Sequence, residues 1–180
     1  ADLHKMMNAL RTHSRPSAPP ASGSNADICM HAGGIIRRSQ TCGSMVSGLT
    51  TEGAQHFFTG TSAPCLSIFK PAGFDSEVSF FVLNPDEETI EGSLWQRHEY
   101  LHRRLLFDRK GREAVQAAIA PAEKKIISAP GLPEADRIAR DWEEKWLLRH
   151  QNQAIQYPKF SAYGCFWKRE NRKDGFDWYI

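Results

Sequence analysis

The segment His98–His102 contains the residues with the most explicit chemical pattern in this chain, H-E-x-x-H. On a helix this spacing places two imidazoles one turn apart on one face, with Glu99 available as a general base, as in zinc peptidases. The neighbouring arginines disfavour a divalent cation because they add positive charge next to the pair. The two histidines also fall on the apolar stripe of the predicted helix. The motif therefore leaves two interpretations open, a zinc ligand pair at His98 and His102 or hydrogen-bonded core histidines.

Thiols are the second source of possible chemistry. The four cysteines are Cys29, Cys42, Cys65 and Cys165. With His31 and His56 nearby in sequence, a Cys–His nucleophilic pair is possible, whereas a cysteine in a strand is more often a small buried apolar residue. The irregular spacing without a C-x-x-C pair is typical of neither a disulfide framework nor a zinc ribbon. We therefore expect reduced thiols, a cytoplasmic setting and no bound metal or other cofactor.

A hydroxyl-rich turn follows one of the predicted strands and offers a third candidate site. It contains Thr59, Gly60, Thr61 and Ser62. Loops at strand ends often contact substrates, and the hydroxyls and backbone amides of this turn could line a substrate cleft. An ordinary tight turn fixed by Gly60 and Pro64 explains the same residues equally well.

The charge balance excludes some classes of partner. The net charge of +2 comes from 23 basic and 21 acidic residues that are mixed along the chain, so no global field attracts nucleic acid or an anionic membrane. Acidic residues also interrupt the aromatic and basic tail over residues 157–180, where the aromatic rings are expected to dock on helices. No apolar stretch approaches the roughly 20 residues of a membrane helix. We predict neither a nucleic-acid nor a membrane partner.

The first half of the chain is expected to contain one helix, a loop and several strands. Apolar residues at helical spacing predict a helix over residues 1–13 that ends before Pro16. A Pro- and Ser-rich flexible loop over 14–26 follows. Short segments rich in β-branched and aromatic residues, separated by glycines, then predict a mainly antiparallel strand region over 27–91. The strands are expected at residues 28–31, 40–49, 55–59 and 66–71, and the apolar run 78–83 is a further strand or a packed loop.

The second half is predicted to be helical over residues 92–156. Ser93 and Gln96 form a capping box ahead of an apolar stripe, and the helix is expected to be interrupted at Gly111 and Pro121. Pro133 is typical of the first turn of a further helix. The last residues, 157–180, have no clean period. Together these elements predict one α+β domain, or the C-terminal portion of one.

Five segments together resemble the C-terminal half of secernins and related dipeptidases. They are Met6–Arg11, Asp27–Met30, Gln40–Ser47, His56–Pro71 and Arg97–Leu101. The resemblance covers residues 3 to 105 and is most specific over 59–71. It implies a partial αββα sandwich of the N-terminal-nucleophile hydrolase type. In that family a cysteine at the N-terminus attacks an amide while its own α-amino group acts as general base.

The chain departs from that family pattern at its first residue. Ala1 has neither thiol nor hydroxyl, so we expect no catalytic residue in this chain and a nucleophilic cysteine upstream of it. The expected partners are then an N-terminal catalytic segment or companion chain, and a peptide or other small amide substrate. The loop over 14–26 is also longer than the family connection. A zinc peptidase at His98–His102 and a non-enzymatic interaction module are the alternative functions.

Overall fold

A computed structural model describes residues 2–15, 19–51, 53–73 and 94–176 of the chain. Within these ranges the protein has five α-helices and one three-stranded antiparallel sheet. The predicted α+β class is therefore confirmed. None of the helices in these ranges is long and apolar enough to cross a membrane.

Helix α1 (Leu3–Ala9) lies within the helix predicted over residues 1–13 and ends four residues before it. The Asp2 side chain caps it by accepting the backbone N–H groups of the next turn. Met7 is buried, and Leu3 lies against Gly48 of the sheet so closely that a Cβ at Gly48 would come within 3.2 Å of the Leu3 side chain. The small residue at this strand position therefore allows α1 to cover one face of the sheet.

The sheet consists of β1 (Met45–Thr50), β2 (Gly53–Phe58) and β3 (Lys70–Ala72), in that order. Its register pairs Val46 with Phe57 and Phe57 with Pro71. Because paired residues share a face, Val46 and Phe57 are buried together in the core cluster that also contains Met7 of α1. The predicted strands 40–49, 55–59 and 66–71 each overlap one of these strands, with shifted ends.

The predicted strand over residues 28–31 is wrong, since no regular strand occurs there. The backbone N–H of Cys29 donates to Thr12 O, and that of Met30 donates to the Thr41 side chain, so this segment is held by irregular bonds. Residues 64–66 likewise form a short 3-10 helix (Pro64–Leu66) instead of the start of the last strand. Alternating residue types indicate extended backbone, but they do not indicate whether a neighbouring strand pairs with it. The run 78–83 lies outside the described residues.

The helical half contains α2 (Leu94–Leu105), α3 (Arg109–Ile127), α4 (Leu132–His150) and α5 (Ala162–Lys173). Pro133 lies in the first turn of α4, as predicted, whereas the capping residue Ser93 lies outside the described residues. The interruption predicted at Gly111 occurs a few residues earlier, between the end of α2 at Leu105 and the start of α3 at Arg109. The interruption predicted at Pro121 is wrong, because α3 continues through it. Gly111 is in the first turn, where its N–H donates to the Asp108 side chain at 2.9 Å. The hydrogen bond lost at Pro121 is offset by the buried apolar face of the helix.

Helix α5 corrects the expectation of an irregular tail. Ser161 caps it by accepting the backbone N–H of Gly164. Tyr163 and Trp167 are buried one turn apart, in a small cluster with Ala32 and Leu106. Trp167 also donates its indole N–H to Ala32 O at 3.1 Å. The aromatic residues of this segment thus dock onto the rest of the chain, as the sequence predicts, although the regular helix is not apparent from periodicity.

Leu105 provides a test of the main core. Its side chain is fully buried at the end of α2 within the core cluster. Leu105→Ala should lower the free energy of unfolding by about 2–5 kcal/mol, because it removes buried methyl groups and leaves a cavity. The matched control is Leu148→Ala on α4, where the side chain is 55% exposed and the expected loss is below about 1 kcal/mol. Urea unfolding of both variants measures the difference, and equal losses would contradict the described core.

Candidate functional site

Four side chains from separate parts of the chain meet in what we call the thiol–imidazole cluster. Its members are His13, Cys29, His31 and Cys65, whose ligand atoms all lie within 4.8 Å of one another. His13 is half-buried and the other three are buried. Within the described part of the chain, these four side chains form the group whose ligand atoms lie close enough together to hold a metal ion.

The backbone around the cluster explains why these side chains meet. The backbone N–H of Cys29 donates to Thr12 O at 3.1 Å, and this bond places His13 beside Cys29. His31 follows two positions later, and its Nε2 lies 3.9 Å from the Cys29 sulfur and 3.3 Å from the Cys65 sulfur. Cys65 is presented by the short 3-10 helix, which begins after Ala63 in a left-handed conformation (φ 52°). The cluster therefore joins the end of α1, the following loop and the turn after β2.

The two thiols of the cluster differ in acidity. A hydrogen bond from Cys65, together with the rings of His13 and His31, lowers the pKa of Cys29 well below that of a free thiol. The same hydrogen bond and complete burial raise the pKa of Cys65 well above it. The neighbouring Cys29 raises the pKa of His13, whereas burial lowers the pKa of His31. Loss of a proton is therefore easier at Cys29 than at Cys65.

A hydrogen-bonded chain connects His31 to α2. His31 Nδ1 lies 3.4 Å from His102 Nε2, and His102 Nδ1 lies 3.3 Å from a Glu99 carboxylate oxygen. Glu99 also accepts from Arg103 Nε at 2.8 Å and from Gln40 Nε2 at 3.0 Å. Burial alone would raise the pKa of Glu99, but the adjacent His102 and Arg103 lower it below the ordinary range. Glu99 is therefore a carboxylate that accepts hydrogen bonds from several donors.

The structure separates the two histidines of the H-E-x-x-H motif into different hydrogen-bonding groups. His98 Nδ1 lies 3.1 Å from Glu143 of α4, whereas His102 faces Glu99 and His31. Neither histidine is among the described side chains that lie close enough to share a metal ion. Both are fully buried, as the core interpretation of the motif requires. His102 nevertheless touches the cluster through His31.

The hydroxyl-rich turn is inside the protein. Thr59, Thr61 and Ser62 are fully buried. The Thr61 hydroxyl lies 2.6 Å from that of Ser67, and the Ser62 hydroxyl donates to Glu99. Their predicted role in a substrate cleft stays a prediction; in this chain, their hydroxyls bond to neighbouring protein groups.

Three carboxylates, one on each of α2, α3 and α4, anchor the chain between residues 59 and 70. We call Glu99, Glu123 and Glu143 the helix carboxylates. Glu123 accepts two hydrogen bonds from the Arg11 guanidinium and one, at 2.8 Å, from the backbone N–H of Phe69. Glu143 forms an ion pair of 2.7 Å with the fully buried Lys70.

The pair of Lys70 and Glu143 has opposing electrostatic contributions. Burial lowers the pKa of Lys70, although the Glu143 carboxylate acts in the opposite direction. Burial raises the pKa of Glu143, but Lys70 and His98 outweigh this and lower it to about 2. Each partner is therefore charged because the other is present.

The cluster was only partly visible in the sequence. The sequence names Cys29 and His31 as members of a possible Cys–His pair, and the structure places His31 Nε2 3.9 Å from the Cys29 sulfur. The sequence does not link His13 and Cys65 to this pair. They reach it only through the hydrogen bond at Thr12 and the turn after β2. The other candidate thiol, Cys42, is exposed, and His56 bonds to Ser47 at 2.9 Å. The C-x-H spacing was the one local signal for the site.

Among the described residues, one cavity borders the cluster. It has a volume of about 250 Å³ and is lined by residues that include Arg11, His13, Cys65 and Gln116. Another cavity, of about 620 Å³, lies between α2 and α4 and includes none of the cluster residues. The cavity at the cluster therefore gives small solutes a route to the thiol–imidazole cluster.

In comparisons with known proteins, no family model matches the chain, and no curated protein or solved structure matches it either. The resemblance to secernins thus rests on the sequence segments themselves.

Glu143→Gln tests the buried ion pair. The variant leaves the Lys70 ammonium in the core without this carboxylate, so the free energy of unfolding should fall by about 3–5 kcal/mol. Glu144→Gln is the matched control on the neighbouring exposed position and should change it by less than about 0.5 kcal/mol. The double variant Lys70→Met with Glu143→Gln should recover part of the loss. A double variant less stable than Glu143→Gln would contradict the pairing, and urea unfolding measures all three.

Glu143 also predicts how stability depends on acid. Its pKa is about 2 in the folded protein, below the ordinary value of 4.5, so ionised Glu143 favours folding above pH 4.5. That contribution, about 3 kcal/mol, should disappear as the pH falls from 4.5 towards 2. Denaturant unfolding at several pH values measures the loss. Glu143→Gln should show a shallower decline than the parent over this interval, and parallel curves would contradict the assignment.

Proposed function

We propose that this chain is the C-terminal, non-nucleophilic portion of a cysteine amidohydrolase of the secernin-like dipeptidase type. An N-terminal cysteine upstream of the chain, or on a companion chain, attacks a peptide or small amide. Its α-amino group has an ordinary pKa near 8 and accepts the thiol proton near neutral pH. The amine product then leaves, and water hydrolyses the acyl-enzyme. The reduced cysteines fit a cytoplasmic setting.

The observation that supports this proposal is the convergence of the resembling segments. Arg11 Nε donates to Pro64 O at 2.8 Å, which joins the first segment to the most specific one. The backbone N–H of Ala63 donates to Thr41 O at 3.0 Å. Gln40 donates to Glu99 at 3.0 Å and so joins the third segment to the last. Motifs that are far apart in sequence therefore share one buried frame, as parts of one ancestral fold should.

The part of one sheet face that β1 exposes provides further support. Alternation along β1 places Met45 and Leu49 on the face opposite Val46, where they are 55% and 78% exposed. An αββα sandwich packs such a face against a second sheet, while helices cover the outer face. Here α1 covers the Val46 face, and α4 contacts the Met45 face at Lys70 of β3 and leaves it exposed at β1. In our proposal, the upstream segment supplies the second sheet and the cysteine, and this chain supplies the frame behind the cleft.

The complete reading frame, extended upstream of Ala1, tests the function. The protein made from it should hydrolyse members of a dipeptide and amide panel. Replacement of its N-terminal cysteine by Ala should lower kcat at least about a thousand-fold, because the nucleophile is lost. The 180-residue chain alone should give no hydrolysis. If the complete protein has an intact N-terminal cysteine and hydrolyses nothing on the panel, the amidohydrolase proposal fails and the interaction module is favoured.

The interface in this proposal has its own controls. Met45→Glu and Leu49→Glu place charges on the exposed β1 part of this sheet face and should reduce co-purification of the upstream segment with this chain. Gln55→Glu adds the same charge at an exposed position on the opposite face and should leave co-purification unchanged. Equal recovery with all three variants would contradict an interface at the Met45 face.

A further inference from the structure

We infer that the thiol–imidazole cluster is a structural zinc site in which His13, Cys29, His31 and Cys65 are the four ligands. Two thiolates and two imidazoles form a ligand set that selects zinc in tetrahedral geometry. Four protein ligands leave no open position, which is typical of structural and not of catalytic zinc. This site is independent of the amide hydrolysis proposed above.

The distances within the cluster match those of a tetrahedral centre. Zn–S bonds of about 2.3 Å and Zn–N bonds of about 2.0–2.1 Å imply sulfur–nitrogen separations of about 3.6 Å. The two separations from His31 Nε2, 3.3 Å to Cys65 and 3.9 Å to Cys29, lie on either side of that value. All four ligand atoms lie within 4.8 Å of one another, so small side-chain movements suffice to bind the ion.

The hydrogen-bonded chain behind His31 orients it for a metal. If Glu99 accepts a proton from His102 Nδ1, then His102 Nε2 is free to accept the Nδ1–H of His31. That tautomer leaves the Nε2 lone pair of His31 directed at the two sulfurs. Metal-bound histidines commonly donate their other N–H to such a partner, which fixes the ring and raises its basicity. Glu99 and His102 of the H-E-x-x-H motif are thus positioning residues in this site.

The burial and packing of the cluster favour a metal ion. Cys29, His31 and Cys65 are buried, and Nε2 of His31 lies near both sulfurs. Zinc binding forms two Zn–S and two Zn–N bonds and releases the thiol protons to solvent. Nε2 of His13 is buried without a hydrogen-bond partner in the described part of the chain. The adjoining cavity of about 250 Å³ provides a path for the ion.

Metal analysis of the 180-residue chain tests the site directly. Protein purified without chelator should contain about one zinc per chain. Cys29→Ser and Cys65→Ser should abolish stoichiometric zinc, whereas Cys42→Ser and Cys165→Ser, at exposed cysteines outside the cluster, should retain it. Chelation should lower Tm by on the order of 10 °C, and added zinc should restore it.

Spectroscopy and thiol labelling keep the proposal testable if a variant fails to fold. Titration of the metal-free parent with Co²⁺ should produce the ligand-field and thiolate charge-transfer bands of a tetrahedral S₂N₂ site. In the zinc-loaded parent, a thiol reagent should modify Cys42 and Cys165 only, and chelation should expose the other two cysteines. His102→Leu should weaken zinc binding about 10- to 100-fold, and His102→Gln, which can still accept from His31, should restore part of it.

Three results would overturn the inference. The first is a metal-free protein that binds neither zinc nor Co²⁺ and gives no Tm response to either. The second is a Cys29–Cys65 disulfide in protein purified under reducing conditions. The third is alkylation of Cys29 by an electrophilic amide reagent at the same rate with and without zinc. That result would identify Cys29 as a free nucleophile.

Discussion

The structure depends on the burial of three carboxylates beneath the chain that connects β2 to β3. Residues 59–70 pass through the interior, where every buried backbone and hydroxyl group requires a hydrogen-bond partner. Glu99, Glu123 and Glu143 supply acceptors from three different helices. A buried carboxylate costs several kcal/mol unless cations and N–H groups surround it. If one of these helices slipped by a turn, its carboxylate and the group that bonds to this carboxylate would both lose their partner. These contacts therefore fix the helices relative to the sheet.

The same requirement explains the H-E-x-x-H pattern without a zinc peptidase. In a metal-binding motif of this type, both imidazoles point at one ion. Here His98 faces Glu143 on α4, and His102 faces Glu99 and His31. The i, i+4 spacing places both rings on the buried face of α2, where each finds a carboxylate partner. One spacing is thus compatible with two different uses, and only the residues on neighbouring elements distinguish them.

Much of the element order could be predicted from the sequence because periodicity reports burial. Apolar residues at helical spacing predicted α1 and α2, and Pro133 predicted the start of α4. The antiparallel strands follow from short β-branched and aromatic segments that glycines separate. Prediction failed where a partner distant in sequence decides the local structure. The segment around Cys29 resembles a strand, but its amide donates to Thr12. Pro121 looks like a helix breaker, yet the buried face on both sides of it keeps α3 continuous. Half of the cluster was missed for the same reason, since nothing local links His13 to Cys65.

Glu99 connects the two parts of the protein that concern function. Through Ser62 and Gln40 it anchors the segments that resemble the dipeptidases, and through His102 it reaches His31 in the thiol–imidazole cluster. A metal ion held by His13, Cys29, His31 and Cys65 would therefore stabilise more than the loop around it. It would link the end of α1, the following loop and the turn after β2 to α2, and so hold in place the frame on which the proposed cleft depends. Since the main hydrophobic cluster also packs around these segments, loss of one cluster ligand should loosen the turn at residues 59–62 as well as the metal site.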